Sequence, residues 1–169
     1  MLTIECVQGD IIQMAKDHEI DVVVHGCNCF HIMGGGIAKQ INDYTQGKAL
    51  EADKKTPHGD INKLGTYSMV EWKGIKFYNL YSQHIPAHGY NYLEVCVHWK
   101  SVRDGLIAIV NDQCRSGIKP TTIAIPYIGC GLANGKEEDL KKVLNFLEQF
   151  FKPLSTCNDK ILVVEYKKD

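Results

Sequence analysis

Apolar positions along this chain repeat with two periods, and the change from one to the other marks out the elements. Residues 2–7 alternate loosely, residues 21–25 carry the run Val22-Val23-Val24, and residues 121–125 and 161–166 are short and rich in β-branched side chains. All four read as strands, and an uninterrupted run such as Val22-Val23-Val24 suits a strand covered on both faces. Residues 66–71 and 75–81, β-branched and aromatic and separated by Trp72-Lys73-Gly74, read as an antiparallel hairpin. Elsewhere the period lengthens to that of a helix. Within residues 92–114, Trp99, Val102, Leu106, Ile109, Val110 and Cys114 recur at three- and four-residue spacings, and Gly117 and Pro120 end the run. Leu140, Val143, Leu144, Leu147, Phe150 and Phe151 repeat the pattern, with Glu137, Glu138 and Asp139 placed to suit the positive end of the helix dipole. Asp10 is positioned to cap a short helix ending near His18, and another helix is expected over residues 37–44. Residues 45–63 show no apolar period and read as a surface connection with a fragment of helix, and residues 82–91 as a polar loop. Strands alternating with helices predict a three-layer α/β/α fold with a mixed central sheet, residues 1–169 forming one domain without repeats or a linker.

Two strand-to-helix junctions break the pattern with glycine. After the valine run the chain offers His25, Asn28 and His31, then Gly34, Gly35 and Gly36 just where a helix begins. Backbone without Cβ atoms can lie against a ligand, and the free N–H groups of a helix start attract anions. The second junction, IPYIGCGLANG over residues 125–135, also follows a strand. Glycine-rich turns are common punctuation, but two that both follow strands fall on the edge of an α/β sheet where ligands bind. The spacing Gly129-x-Gly131-x-x-x-Gly135 is not that of a dinucleotide fold, and neither turn carries the Lys-Ser/Thr of a P-loop. Two loops that clamp one diphosphate through backbone N–H groups are the expectation.

Composition narrows the ligand further. With 19 Lys+Arg against 20 Asp+Glu there is no overall basic footprint, which argues against nucleic acid and anionic membrane surfaces as partners. The first residues lack a basic segment followed by an apolar one, and no apolar run is long enough to span a membrane, so a soluble, cytoplasmic protein is expected. Its seven cysteines, an odd number, are expected to be reduced thiols. His25, Cys27, Cys29 and His31 are ligand-rich in spacing, but residues alternating on a strand give at most a partial set, so no metal and no cofactor are expected. The pair His84 and His88 has helical spacing, yet Pro86 and Gly89 argue for a loop.

Taken together, GDI at residues 9–11, VVVHGCN ending at Asn28, GGGIA at residues 34–38 and IPYIGCGLANG at residues 125–135 resemble the macro domain, the module that binds ADP-ribose. The pieces follow the family's order and span nearly the whole chain. The form CNCFHIMGGGIA with IGCGL is similar to the branch of ADP-ribose 1″-phosphate phosphatases and deacylating ADP-ribosyl hydrolases. The resemblance implies that Asp10, with Ile11 beside it, accepts a hydrogen bond from the adenine amino group, and that Asn28 holds a hydroxyl of the distal ribose. It implies that Gly34, Gly35, Gly36, Ile37 and Ala38 let that ribose and its 1″ substituent approach, and that Ile128, Gly129, Cys130, Gly131 and Leu132 wrap the diphosphate. Tyr127 is a flanking residue and Tyr166 a stacking partner for adenine. Asn28 and His31 are the candidate catalytic residues, since an imidazole of pKa near 6.5 can protonate a leaving oxygen or orient water. Where similar hydrolases carry a lysine after the hairpin and an aspartate after Gly-Cys-Gly-Leu, this chain has Gln83 or His84, and Ala133. A lysine adduct is therefore not expected. The implied function is hydrolytic removal of the 1″ phosphate from ADP-ribose 1″-phosphate; cleavage of ADP-ribosylated proteins and non-enzymatic reading of ADP-ribose are the alternatives.

Overall fold

The computed structural model describes residues 1–86, 96–116, 119–154 and 157–166. His88 and Gly89 of the expected loop, residues 92–95 of the expected helix, and Gly117 lie outside them. The strands are β1 (Thr3–Gly9), β2 (Val22–Cys27), β3 (Tyr67–Trp72), β4 (Ile75–Tyr81), β5 (Thr122–Ile125) and β6 (Lys160–Tyr166). They form one six-stranded sheet in the order β1-β6-β5-β2-β4-β3. Every neighbouring pair is parallel except β3 with β4, so the sheet is mixed. The β3–β4 hairpin turns through Lys73 and Gly74, with φ of 49° and 82°, the left-handed pair that matches the twist of a two-residue hairpin.

Helices cover both faces. Val22 and Val24 join the core beneath α4 (Trp99–Ser116) and α5 (Glu137–Phe151), with Leu106, Ile109, Leu140, Leu147 and Phe151. Val23 points the other way, to a second core under α1 (Ile11–Lys16), α2 (Gly36–Tyr44) and α3 (Lys48–Asp53), with Ile11, Ile41, Ala49 and Phe77. This one-residue alternation explains why the valine run carries no polar position, and the result is the expected three-layer α/β/α arrangement. Among the described residues no helix is long and apolar enough to cross a membrane.

Three local expectations are corrected. The helix expected from residue 92 begins at Trp99. Val97 instead pairs antiparallel with Gln83, and the His98 N–H donates to the Ser82 carbonyl at 2.7 Å, holding this segment extended against the end of β4. Residues 45–63 are more than a surface connection. Gly47, at φ 83°, starts α3, the Thr45 hydroxyl donates to the Ile41 carbonyl and accepts from the Ala49 N–H, and Thr45, Ala49, Asp53 and Lys63 are buried. Finally, the cysteines are not all free. Cys114 in the last turn of α4 is bonded to Cys157 before β6, their Cα atoms 5.2 Å apart.

A polar thread runs through the lower core. His25, fully buried, shares a 2.7 Å hydrogen bond between its Nε2 and Asn79 Oδ1, while Asn79 Nδ2 donates to the Ala49 carbonyl and to Ser68 Oγ. Since the amide nitrogen has both protons committed, Nε2 of His25 is assigned as the donor. Burial holds the imidazole pKa down at about 4, with the Asn79 bond pulling the other way.

The unfolded imidazole takes up a proton near pH 6.5 and the folded one only near 4, so this contribution to stability is complete above about pH 6.5 and is lost as pH falls toward 4. Urea-unfolding curves at pH 7.5 and 4.5 should show a loss of up to about 3 kcal/mol from this group, and the acid slope should flatten in His25→Gln. On the opposite face, a Cβ on Gly105 of α4 would stand 2.0 Å from Leu80 Cδ1 in the packed core. Gly105→Ala is expected to cost about 1–3 kcal/mol despite its better helix propensity, as read from the same unfolding curves.

Candidate functional site

β2 and β5 are neighbours, but their register pairs only Val22 with Ile123 and Val23 with Ala124. On its other side β2 stays paired with β4 to the end, Cys27 against Tyr81. The carboxyl ends of β2 and β5 therefore part, and their chains leave to opposite layers, β2 toward α2 and β5 toward α5. Such a switch point opens a crevice in an α/β sheet. One part of it, about 240 Å³, lies between Asn28 with Gly34, Gly35, Gly36, Ile37 and Ala38 on one bank and Tyr127, Ile128, Gly129, Gly131 and Leu132 on the other, above Gly26, Ser82 and Gln83. It continues past Gly36, Ile37 and Pro126 into a second part of about 220 Å³, bounded by Gly9, Asp10, Ile11, Val164 and Tyr166. Together they fall within the roughly 300–1,000 Å³ typical of small-ligand sites.

The middle of the crevice presents N–H groups without acceptors. Helix α2 starts on Gly35, which offers no side-chain cap, and its first backbone bond is Lys39 N–H to the Gly35 carbonyl. The N–H groups of Gly36, Ile37 and Ala38 thus have no partner among the described residues. On the facing turn, Ile128 donates to Pro126, Cys130 to Tyr127, Asn134 to Gly131 and Gly135 to Gly129, which leaves the N–H groups of Gly129, Gly131 and Leu132 unpartnered among the described residues. Among the described residues no lysine or arginine lines this part. Amide dipoles from two sides with no cation suit an anion whose charge is spread over several oxygens.

The glycines here differ in what requires them. Gly129 sits at φ 77°, and a Cβ there would stand 2.5 Å from Val97 Cγ2, so the turn itself needs glycine. Gly131 has nothing within 4 Å of where its Cβ would be, and Gly34 only Ile32 Cγ2 at 4.0 Å, neither at a left-handed φ. Among the described residues nothing requires those two positions bare, and their lack of a side chain leaves room for a ligand to lie against them.

Asn28 folds its own loop. Its Nδ2 donates to the Ile32 carbonyl at 2.8 Å and its Oδ1 accepts from the Phe30 N–H at 2.9 Å, leaving one N–H and one lone pair on a side chain that lines the crevice. His31 is not brought there. At φ 56° its ring turns to the other side of the loop, with Nε2 3.4 Å from Thr56 Oγ1 and 4.0 Å from Asp53 Oδ1, edge-on to His58. Burial lowers its pKa, and the Asp53 carboxylate opposes that shift. Cys130 also turns from the crevice, its thiol toward the Ile128 carbonyl and its pKa raised by burial. Asp10 caps α1, Oδ1 accepting from the Gln13 N–H at 3.1 Å, while it borders the second part of the crevice beside the exposed Tyr166. Of the four residues of ligand-rich spacing, His25 and Cys27 meet while Cys29 and His31 face other groups. Cys27 stands 3.6 Å from His25 Nδ1, the Cys29 thiol faces the Gln83 carbonyl with its pKa pushed by burial up to about 11, and His31 faces Thr56.

Beneath the Asn28 loop lies a buried charge pair absent from the sequence reading. Lys63 Nζ donates to the Cys29 carbonyl at 3.3 Å and stands 3.9 Å from Asp53 Oδ1 and 4.3 Å from the centre of the Tyr81 ring. The Tyr81 hydroxyl donates to the same Asp53 oxygen at 2.7 Å, and burial raises its pKa. Ser82 was also unforeseen. Its Oγ is buried at the crevice floor with no partner among the described residues, and a Cβ on Gly26 would fall 2.6 Å from it. Neither residue carries a sequence signal, since a lysine in a polar stretch and a serine after a strand are ordinary. The crevice as a whole fits a ligand with an anionic middle, a hydroxyl-bearing end near Asn28 and a flat end near Asp10 and Tyr166.

No family model matches the chain. An uncharacterized 17.5 kDa protein from the tk-vs intergenic region of Enterobacteria phage T4 is 32% identical over 149 residues, which are 85% of this chain and 89% of the phage protein. Among solved structures, a Bacteroides thetaiotaomicron protein of unknown function superposes with a TM-score of 0.73 at 18% identity, covering 97% of this chain and 99% of that one. The macrodomain of Mycobacterium tuberculosis DarG gives 0.66 at 20% identity, covering 96% and 97%. A Trypanosoma brucei macrodomain in complex with ADP-ribose gives 0.69 at 11% identity, covering 95% of this chain and 63% of that one. The chain belongs to one family with the phage T4 protein, and its own fold is that of the macro domain.

Proposed function

We propose that the crevice binds ADP-ribose and that a phosphate on its 1″ position is hydrolysed there. One observation carries the reading: N–H groups from the α2 start and from the Gly129 turn, unpartnered among the described residues, face each other across a crevice that no described basic side chain lines. That is the donor arrangement for a diphosphate. The adenine then lies along Ile37, Val164 and Tyr166, its amino group donating to the Asp10 oxygen not used in capping α1. The distal ribose meets the free N–H and lone pair of Asn28, with Ser82 Oγ and Gln83 below it. None of these three is a strong acid or base. Hydrolysis at that end would rely on a substrate phosphate oxygen to take the proton of the attacking water, with Asn28 holding the sugar.

A second reading, recognition of ADP-ribose on a carrier without turnover, is favoured by the direction of the His31 ring. For that imidazole to reach a 1″ substituent the loop would have to turn it from Thr56 into the crevice.

Calorimetry with ADP-ribose should give a micromolar dissociation constant, on the order of 8 kcal/mol. Gly131→Val should leave thermal unfolding unchanged and weaken binding at least tenfold; unchanged affinity would place the diphosphate elsewhere. Asp10→Asn keeps a competent helix cap but turns a donor toward the adenine amino group, and should weaken binding about tenfold, roughly 1.4 kcal/mol, with no loss of stability. Phosphate release from ADP-ribose 1″-phosphate that is lost in Asn28→Ala and kept in His31→Ala supports hydrolysis by a substrate oxygen with Asn28 holding the sugar; loss in His31→Ala would overturn that mechanism in favour of one in which the loop turns the imidazole into the crevice. Binding without release selects the second reading.

A further inference from the structure

At the amino-terminal edge of the sheet, opposite the crevice, two sulfurs and a carboxylate converge. Cys114 comes from the last turn of α4, while Cys157, whose N–H donates to the Leu154 carbonyl, and Asp159 come from just before β6. Their ligand atoms all lie within 4.8 Å of one another. Asp159 is aimed rather than merely present. Its Oδ1 accepts from the Thr121 N–H at 2.8 Å and its carbonyl from the Thr3 N–H at 3.1 Å, which fixes the carboxyl between β1 and β5. That leaves Oδ2 directed at the sulfurs, 3.4 Å from Cys114 Sγ and 4.0 Å from Cys157 Sγ. Cys157 and Asp159 are 1% and 3% exposed, and no salt bridge reaches the carboxylate among the described residues. A buried, oriented carboxylate that faces two sulfurs, with the amino-terminal ammonium acting on it only from beyond ion-pair distance, has the donor set of a site for a soft divalent ion.

We propose that Cys114, Cys157 and Asp159 bind a thiophilic divalent cation of the Zn²⁺ class when the Cys114–Cys157 disulfide is reduced. Two equivalents of a small thiol supply two electrons and two protons, giving the two cysteine thiols and the small disulfide. The metal then displaces both thiol protons to solvent and takes two thiolates and Asp159 Oδ2, leaving its fourth tetrahedral position to water. The small disulfide reverses this by taking the two electrons of the thiolates and two protons from solvent, giving back two small thiols and the Cys114–Cys157 bond and releasing the metal, since a sulfur committed to the disulfide cannot act as a thiolate ligand. The Thr121 hydrogen bond acts as the outer support that orients the ligating carboxylate.

The test uses the full chain, reduced with a phosphine under nitrogen, freed of reductant and titrated with Co²⁺ as a spectroscopic substitute for Zn²⁺. One equivalent should raise the near-ultraviolet thiolate charge-transfer band and the visible bands of tetrahedral cobalt, and one equivalent of Zn²⁺ should remove them. Cys114→Ser and Cys157→Ser should each abolish the bands, Asp159→Asn should weaken binding at least tenfold, and Cys6→Ser should change nothing. Because a cysteine variant could fail to fold, the wild type supplies a second readout. Zn²⁺ should slow alkylation of Cys114 and Cys157, identified by mass spectrometry, and leave the rate at Cys6 unaltered. Bands that survive in the cysteine variants, equal cobalt binding by the oxidised chain, or protection of other thiols in place of these two would each overturn the assignment.

Discussion

The structure depends most on how briefly β2 and β5 pair. Two register pairs bring the strands side by side, and their continuations then diverge because one must feed a helix below the sheet and the other a helix above it. Had the ladder run on to Cys27, there would be no room between the two glycine turns. The N–H groups open to a ligand come from the α2 start and the Gly129 turn, which the parted strands hold on opposite banks, so the site is made from hydrogen-bonding capacity that a helix start and a turn leave unused.

Holding that opening in shape falls to the polar cluster under the Asn28 loop. A carboxylate and an ammonium both removed from water are stable only with further partners, and here the Tyr81 hydroxyl and the Cys29 carbonyl provide them. The cluster links α3, the short 3-10 turn Ile61–Lys63 and β4 to one carbonyl of the loop. It gives residues 45–63 a reason to fold inward that their composition does not reveal. His31 joins this cluster through Thr56 and Asp53, which is why the ring most suggestive in the sequence is turned from the ligand side.

Much of the fold was legible because burial imposes periods. The valine run, the hairpin and the apolar stripe of α5 each carry a repeat that only one kind of element satisfies. The glycine turns and Asn28 were legible for a different reason, since their order along the chain resembles a known family. What remained hidden had no period and no motif. Ser82 acquires its meaning from the absence of a partner, Lys63 from the carbonyl it happens to reach, and Cys114 and Cys157 from a meeting of segments 43 residues apart. Helix α4 starts later than the apolar spacing predicts because residues ahead of Trp99 continue an apolar character that the bridge of Val97 to Gln83 uses in extended form.

A crevice lined by amide dipoles instead of ammonium or guanidinium groups projects little field into solution, because the potential of a dipole falls off faster than that of a charge. With a formal net charge of −1, the chain as a whole adds no attraction for an anion either. On the proposed reading, capture would begin only after a ligand had arrived by unsteered diffusion, salt should hardly alter its arrival rate, and occupancy would be decided by fit along the whole crevice.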